Sequence, residues 1–364
     1  MQQKAVLQFE GVTKRFGAIL AIDGISLAVA PGEFFALLGP SGCGKTTLMR
    51  IAAGFERPDG GRVLIDGAEA TDMPPHRRPV NMMFQSYALF PHMNVFDNIA
   101  FGLKAAGLSR AKIAERVGEM VDLTQLQGLE KRRPHQLSGG QKQRAALARA
   151  LARGAKLLLL DEPLGALDRK LREETQFRLM DVQKRLGPAF VVVTHDQDEA
   201  MSMADRIAVM RAGKIEQIGA PSEIYERPRS RYVAEFIGEI NIFEGRATRV
   251  GDVLRFDTAE GPIEAVAPSS LAGGALSLAG GAWPLAVAVR PERMRFAAPG
   301  EAGANRLAGV VRDVVYRGDR RIFRVLLTSG AFARISASSA EPAPPPGEAV
   351  AIAFEAAACV VLEG

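Results

Sequence analysis

Apolar residues follow two different rhythms along this chain. From about residue 4 to 218, short and largely apolar runs alternate with helical patterns. The runs are Phe34 to Leu38, Val80 to Phe84, Lys156 to Leu160 and Phe190 to Val193, and the helical segments are 45–53, 139–152, 168–185 and 196–203. Runs of four or five residues without polar alternation suit strands buried on both faces, so this part predicts a largely parallel sheet between helices. After Glu239 the helical period disappears. Alternating segments take over, at Pro284 to Phe296, Gly309 to Gly318 and Ala349 to Phe354, with Gly and Pro between them. Short strands parted by turn residues predict a small all-β barrel or a pair of barrels. The expected division is therefore 1–239 and 240–364, with a helical subdomain over about 86–155. A weak internal match, Asn241 to Val250 with Asn305 to Val314 at an offset of 64, suggests two repeats in the β part.

Composition narrows the class without naming a function. A length of 364 residues suits two domains, and 47% hydrophobic with 24% charged residues excludes a disordered or collagen-like chain. The two cysteines, Cys43 and Cys359, are too few and too far apart for a disulfide framework or a zinc cluster, which fits a reducing compartment. The longest uncharged stretch, 25 residues between Glu264 and Arg290, is broken by Pro268, Pro284 and two Gly pairs, and reads as strands and turns rather than a membrane span. Residues 240–364 carry 13 Arg and 13 acidic residues, so the net charge of +5 belongs entirely to 1–239, where 33 basic face 28 acidic residues. That excess suits a phosphate ligand or a membrane-proximal surface, and equally an ordinary solvated face.

Chemistry enters at Gly39-Pro40-Ser41-Gly42-Cys43-Gly44-Lys45-Thr46-Thr47, between the run Phe34 to Leu38 and a helical segment. The pattern GxxxxGK[ST] in a strand-loop-helix context is a phosphate-binding loop. Its glycines let backbone N–H groups converge on a polyphosphate at a helix N-terminus. Lys45 is expected to bridge the β- and γ-phosphates and the Thr46 hydroxyl to ligate Mg²⁺. Cys43 reads as a small filler within the loop rather than a nucleophile. At the end of the run Lys156 to Leu160 stand Asp161 and Glu162. This is where α/β sheets place ligands, so Asp161 is expected to hold Mg²⁺ and Glu162 to act as general base on the attacking water.

Leu137-Ser138-Gly139-Gly140-Gln141, followed by a helical segment, distinguishes the chain among phosphate-loop proteins. Here it resembles the ATP-binding-cassette ATPases, whose signature motif is LSGGQ. The resemblance implies an α/β P-loop NTPase core with a helical subdomain, and it covers residues 1–239 motif by motif. By the same resemblance Ser138 and Gly140 present a hydroxyl and a backbone N–H to a γ-phosphate, and Phe16 stacks on adenine. Gln85 belongs to a loop that senses Mg²⁺ and the γ-phosphate, Asp168 to the D-loop, and His195 is the switch histidine that contacts the γ-phosphate and Glu162. In this family the signature of one subunit covers ATP held by the other. A single cassette therefore implies a head-to-tail homodimer with two composite sites. Aromatic and Met residues near Gln85, in Tyr87 to Met93, imply a groove for a short helix of a membrane permease.

The second half resembles importer ATPases with a C-terminal regulatory β-domain of OB-like (TOBE/MOP) type. The matching residues are Pro221 to Pro228, Phe236 to Asn241 and Val289 to Glu292. Phe236 to Gly245 looks most like the spermidine/putrescine members, with sugar, sulfate or ferric-iron importers as alternatives. What this implies is an ATP-hydrolysing subunit, peripheral on the cytoplasmic face of the inner membrane, working with permease subunits and an external solute-binding protein. A cassette protein acting on nucleic acid or ribosomes is the rival. The neutral β-region with its single Trp283 lacks a basic, aromatic-rich surface, so no nucleic-acid partner is expected. A nucleoside kinase would leave the signature and His195 unexplained.

Overall fold

The computed structural model describes residues 5–165, 167–268, 283–298 and 305–362; the expected strands and turns of 269–282 lie outside them. The chain divides into two compact units, 1–222 and 223–364. The line expected at 239/240 falls after two short helices that group with the second unit.

In the first unit the strands are β1 (Leu7–Phe16), β2 (Ile19–Val29), β3 (Phe34–Leu38), β4 (Gly60–Ile65), β5 (Ala68–Glu69), β6 (Val80–Met83), β7 (Leu157–Asp161), β8 (Ala189–Thr194), β9 (Arg206–Arg211) and β10 (Lys214–Gly219). The helices are α1 (Lys45–Ala53), α2 (Val95–Ala105), α3 (Arg110–Leu123), α4 (Gly139–Ala152), α5 (Arg169–Leu186) and α6 (Gln197–Met203). A six-stranded sheet runs in the order β10-β9-β3-β8-β7-β6, parallel except for β10. Every residue of β3, β7 and β8 is buried, as uninterrupted apolar runs require when both faces are covered. A smaller antiparallel sheet, β2-β1-β4-β5, shares its core through Val12, Ile22 and Val29. Helices α2, α3 and α4 pack on one another, and α4 also lies on β6.

Parallel pairing has a direct consequence for function. Leu38 registers with Thr194 and Asp161 with Val193, so the loops leaving β3, β7 and β8 emerge at one end of the sheet. Helices α4, α5 and α6 start on side-chain caps: Ser138, Asp168 and Asp196 accept from the backbone N–H three residues on, satisfying donors that the first turn leaves free.

The second unit takes in α7 (Pro221–Glu226) from Glu223 onward and then α8 (Arg231–Phe236), followed by β11 (Asn241–Val250), β12 (Val253–Thr258), β13 (Gly261–Val266), β14 (Trp283–Val289), β15 (Arg295–Phe296), β16 (Asn305–Tyr316), β17 (Arg320–Leu327), β18 (Phe332–Ser338), β19 (Ala349–Phe354) and β20 (Cys359–Leu362). Two five-stranded antiparallel sheets form, β13-β12-β11-β14-β20 and β18-β17-β16-β19-β15. Their orders correspond strand for strand. Strand β15, which follows β14 in the chain, completes the second sheet, and β20, which follows β19, completes the first. Each half therefore contributes its last strand to the other, and the two share one core.

Buried asparagines fasten the exchange. Asn241 Nδ2 donates to Arg334 O (2.8 Å) while its Oδ1 accepts from Arg334 N (2.7 Å). Asn305 does the same across the other half, with Glu264 O (2.9 Å) and Glu264 N (2.7 Å). Arg290, just beyond β14, is buried and joins the helices to the strands: Nη2 donates to Tyr225 O (2.9 Å), Nη1 to Glu239 O (3.1 Å), and its guanidinium lies 4.0 Å from the centre of the Tyr225 ring. Glu292 accepts from the Tyr225 hydroxyl at 2.6 Å. The Val289 to Glu292 motif thus forms a structural joint.

Candidate functional site

The loop from Gly39 to Thr46 leaves the buried strand β3 and turns into α1 through Gly44, whose φ of 106° lies in the left-handed region. A Cβ there would stand 2.5 Å from Ala21 O on β2, and one at Gly39 would stand 2.5 Å from Met210 O. Only glycine lets the loop pass this close to both sheets. Lys45 is buried, and its Nζ donates to Gly39 O (2.7 Å) and Pro40 O (2.9 Å). Cys43 is buried within the same loop, with Sγ 3.8 Å from that ammonium.

Opposite the loop stands the acidic pair at the end of β7. Thr46 Oγ1 donates to Asp161 Oδ1 at 3.4 Å. Burial, reinforced by the charge of Glu162, pushes the Asp161 carboxyl above the usual carboxylate range, against the opposing effects of the Thr46 hydroxyl, Arg50 and Lys45. A buried carboxylate in that condition gains from a cation. Glu162 sits at φ 44°, an uncommon backbone conformation for a residue with a side chain, and each carboxylate oxygen has a partner. Gln85 Nε2 donates to Oε2 (2.8 Å), and His195 Nδ1 lies 3.1 Å from Oε1. Lys45, Thr46, Gln85, Asp161, Glu162 and His195 are thus gathered from four separate stretches of sequence.

Other expected residues stand apart from this group. Among the described residues no hydrogen bond joins Ser138, Gly139, Gly140, Gln141 or Asp168 to the phosphate loop. Ser138 caps α4 in a reciprocal pair with Gln141: its Oγ accepts from Gln141 N (3.3 Å) and its own N–H donates to Gln141 Oε1 (2.9 Å). The Ser138 hydroxyl proton stays available for another acceptor. A Cβ at Gly140 would stand 2.7 Å from Leu171 Cδ2, so this glycine lets α4 meet α5. The Asp168 carboxylate caps α5 through Leu171 N at 3.0 Å. Phe16 is exposed at the end of β1, with Lys14 Nζ 5.3 Å from its ring centre. Its hairpin partner β2 touches the phosphate loop at Ala21. In the expected aromatic groove Tyr87 is buried; the exposed aromatic rings are Phe55 and Phe101, which contact Phe84 and Phe90.

Sequence reading missed the polar side chains that hold these loops. Gln143, one turn into α4, donates from Nε2 to Pro163 O at 2.7 Å, linking the signature helix to the residue after Glu162. Arg149 donates to Tyr87 O (3.0 Å) and Ala88 O (2.8 Å), where φ is 61° and 43°. Arg172 bridges α5 to the segment around His195. Gln143 alone had a signal: a polar residue on the apolar stripe of Leu147 and Ala150.

Comparison with known proteins gives the same outline. A family model described as ABC transporter matches residues 22–165, and one described as TOBE domain matches 287–362. The chain is 48% identical over 362 residues to the spermidine/putrescine import ATP-binding protein PotA of Rubrobacter xylanophilus, covering 98% of this chain and 94% of that one. It is 47% identical over 365 residues to the putrescine transport ATP-binding protein PotG of Escherichia coli, covering 98% and 95%. Among solved structures, the ATP-binding cassette MJ0796 in a dimeric post-hydrolysis state bound to ADP and Pi superposes with a TM-score of 0.54 at 31% identity, covering 59% of this chain and 98% of that one.

Proposed function

The chain belongs to the ABC transporter family as an ATP-binding subunit, and from that premise we propose that it hydrolyses ATP to drive polyamine import through a membrane permease. The observation that carries this reading is the Glu162 carboxylate, held by both oxygens between Gln85 and His195 at the end of β7 and flanked by the Thr46 and Asp161 pair. The names of relatives that match nearly the whole chain supply the solute class.

In the mechanism that follows, backbone N–H groups of the phosphate loop and the Lys45 ammonium bind the β- and γ-phosphates. Glu162 takes a proton from the water that attacks the γ-phosphorus, and the bond from that phosphorus to the bridging oxygen of ADP breaks. For Glu162 to serve as base it must be ionised, so the His195 nitrogen facing it carries the proton and fixes the ring's orientation. Thr46 and Asp161 fit Mg²⁺, an ion that takes few protein ligands and keeps its other positions for water and phosphate oxygens. The buried Asp161 carboxylate supports that fit, because burial and Glu162 disfavour its charge more than Thr46, Arg50 and Lys45 favour it. When bound, the ion neutralises charge on the phosphate oxygens. Gln85 gives its Nε2 to Glu162, which leaves its carbonyl oxygen for the metal.

Ser138, with its hydroxyl proton free, reaches the γ-phosphate held by a second copy, so two chains close over two nucleotides. Each ATP then belongs to both subunits, and its hydrolysis removes the group that joins them. No described helix is long and apolar enough to cross a membrane. Attachment to the cytoplasmic face is assigned to permease subunits, which an external solute-binding protein supplies with cargo.

Glu162→Gln tests the motor. Turnover is expected to fall by roughly 10²- to 10⁴-fold, the range for loss of a general base, while ATP still binds and dimers accumulate in light scattering. A variant that stays monomeric when saturated with Mg-ATP overturns the paired mechanism. For the solute, vesicles containing the chain with its permease and binding protein should accumulate labelled putrescine or spermidine in preference to maltose or sulfate.

A further inference from the structure

His195 has an exposed ring on a short loop, and its own surroundings do not explain why it stays 3.1 Å from Glu162. Its neighbours do. Thr194 Oγ1 accepts from Asp196 N (3.0 Å) and donates to Glu199 Oε2 (2.8 Å), and Asp196 Oδ1 accepts from Glu199 N (3.1 Å). The residues on either side of His195 are therefore tied to the first turn of α6. The knot is then attached to a different element by one side chain. Arg172, on α5, donates from Nη1 to Asp196 Oδ2 (2.8 Å) and from Nη2 to Leu167 O (3.2 Å), and its Nε stands 3.9 Å from Glu199 Oε1.

Three features separate this arrangement from an ordinary surface ion pair. Glu199 is only 2% exposed, so its charge is poorly screened and a fixed cation beside it matters. The Arg172 Nε is buried without a hydrogen-bond partner, so the guanidinium is placed by its other contacts. Leu167 immediately precedes Asp168, the N-cap of α5, so the same guanidinium that holds the switch segment also holds the loop leading into that helix.

We propose that Arg172 is a positioning residue for ATP hydrolysis: by clamping Asp196 it fixes His195 against Glu162 and joins that alignment to the backbone just before Asp168. The inference rests on the proposed roles of His195 and Glu162 in hydrolysis. It adds that their alignment depends on a residue of α5 that has no hydrogen bond to His195 or Glu162 and acts through Asp196. A guanidinium is required because the two strong contacts diverge, one to a carboxylate and one to a carbonyl, and an ammonium on a flexible stem cannot serve both in one geometry.

Steady-state ATPase measurements on full-length Arg172→Met and Arg172→Lys test this, with His195→Ala as reference. Arg172→Met should lower kcat by roughly 10- to 100-fold, the loss expected from displacing a reacting group by about an ångström. Its KM for ATP should stay within about twofold, and because loss of folded enzyme would also lower apparent kcat at unchanged KM, the fraction of folded variant at the assay temperature is measured alongside and should match the parent. Arg172→Lys should recover part of the loss. Asp196→Asn, which keeps the cap acceptor but removes the charge facing Arg172, should act in the same direction and decides the matter if Arg172→Met does not fold. A His195-dependent enzyme in which both Arg172→Met and Asp196→Asn keep kcat within twofold overturns the clamp. Turnover unchanged by His195→Ala overturns the underlying site reading and the clamp with it.

Discussion

In the first unit the polar side chains with a proposed chemical task stand at the ends of parallel strands, next to the loops that leave them. In the second unit the most buried polar side chains, Asn241, Asn305 and Arg290, hold strands and helices together and face no site. Both units bury polar groups, and in both the groups have partners, as the cost of desolvation demands. What differs is the state of the pairing. The Asn305 amide is satisfied on both sides by one backbone residue, whereas Asp161 has a single long hydrogen bond and a carboxyl pushed upward by burial. A completed network specifies a structure; an incomplete one is where a ligand has something to add.

The contrast would break most visibly at Ser138. Ser138→Arg places a long cation on the exposed cap of α4, and hydrolysis should fall at least a hundredfold because the residue would occupy the position of the partner's phosphate. The fold should lose only about 1 kcal/mol, the usual cost of a helix cap. Fluorescent-nucleotide titration of the monomer should give an affinity close to that of the parent chain. A large loss of monomer affinity would mean that Ser138 serves its own chain's nucleotide.

Asn305→Ala is the complementary experiment. It leaves the buried N–H and carbonyl of Glu264 without partners, at about 1–3 kcal/mol for each group. A loss of roughly 2–6 kcal/mol should appear in the denaturant unfolding transition of the second unit. ATP affinity should not change. Coincident loss of stability and nucleotide binding would show that the two units do not divide labour as described.

What sequence could reveal follows the same line. The phosphate loop and the acids after β7 are legible because a few consecutive residues next to an apolar run carry them, whereas Ser138, Asp168 and His195 were placed by family resemblance and the cap formed by Asp196 went unread. Arg172 was not legible: its partner Asp196 is 24 residues away on another element, and nothing in the pattern of α5 marks it. The strand exchange between β15 and β20 was likewise hidden, since pairing between distant short strands leaves no local period. The internal match at an offset of 64 did carry part of it. Asn241 and Asn305 are the two clamps, while Gly245 and Gly309 each lie where a Cβ would stand 2.6 Å from a carbonyl of the neighbouring strand. The shared residues are those that the repeated geometry requires.

The smallest effect is the most discriminating, because it separates function from stability at one atom. Asp161→Asn keeps the shape of the side chain and removes a charge that burial and Glu162 both disfavour. Without nucleotide or metal the variant should be more stable than the parent at neutral pH. About 1 kcal/mol corresponds to a rise of roughly 2–4 °C in Tm for a unit of this size, although hydrolysis is lost. The pH dependence has a definite sign. A carboxyl whose folded pKa is raised takes up its proton more readily in the native state. The penalty is therefore present above that raised value and is relieved as pH falls through it toward the ordinary carboxylate range. The difference in Tm between variant and parent should accordingly shrink on acidification, and Mg-ATP should reverse it at neutral pH by stabilising only the parent's ionised carboxylate. A variant less stable than the parent at neutral pH would show that Asp161 is already satisfied by Thr46 and Lys45, and the contrast between the two units would fail at its central residue.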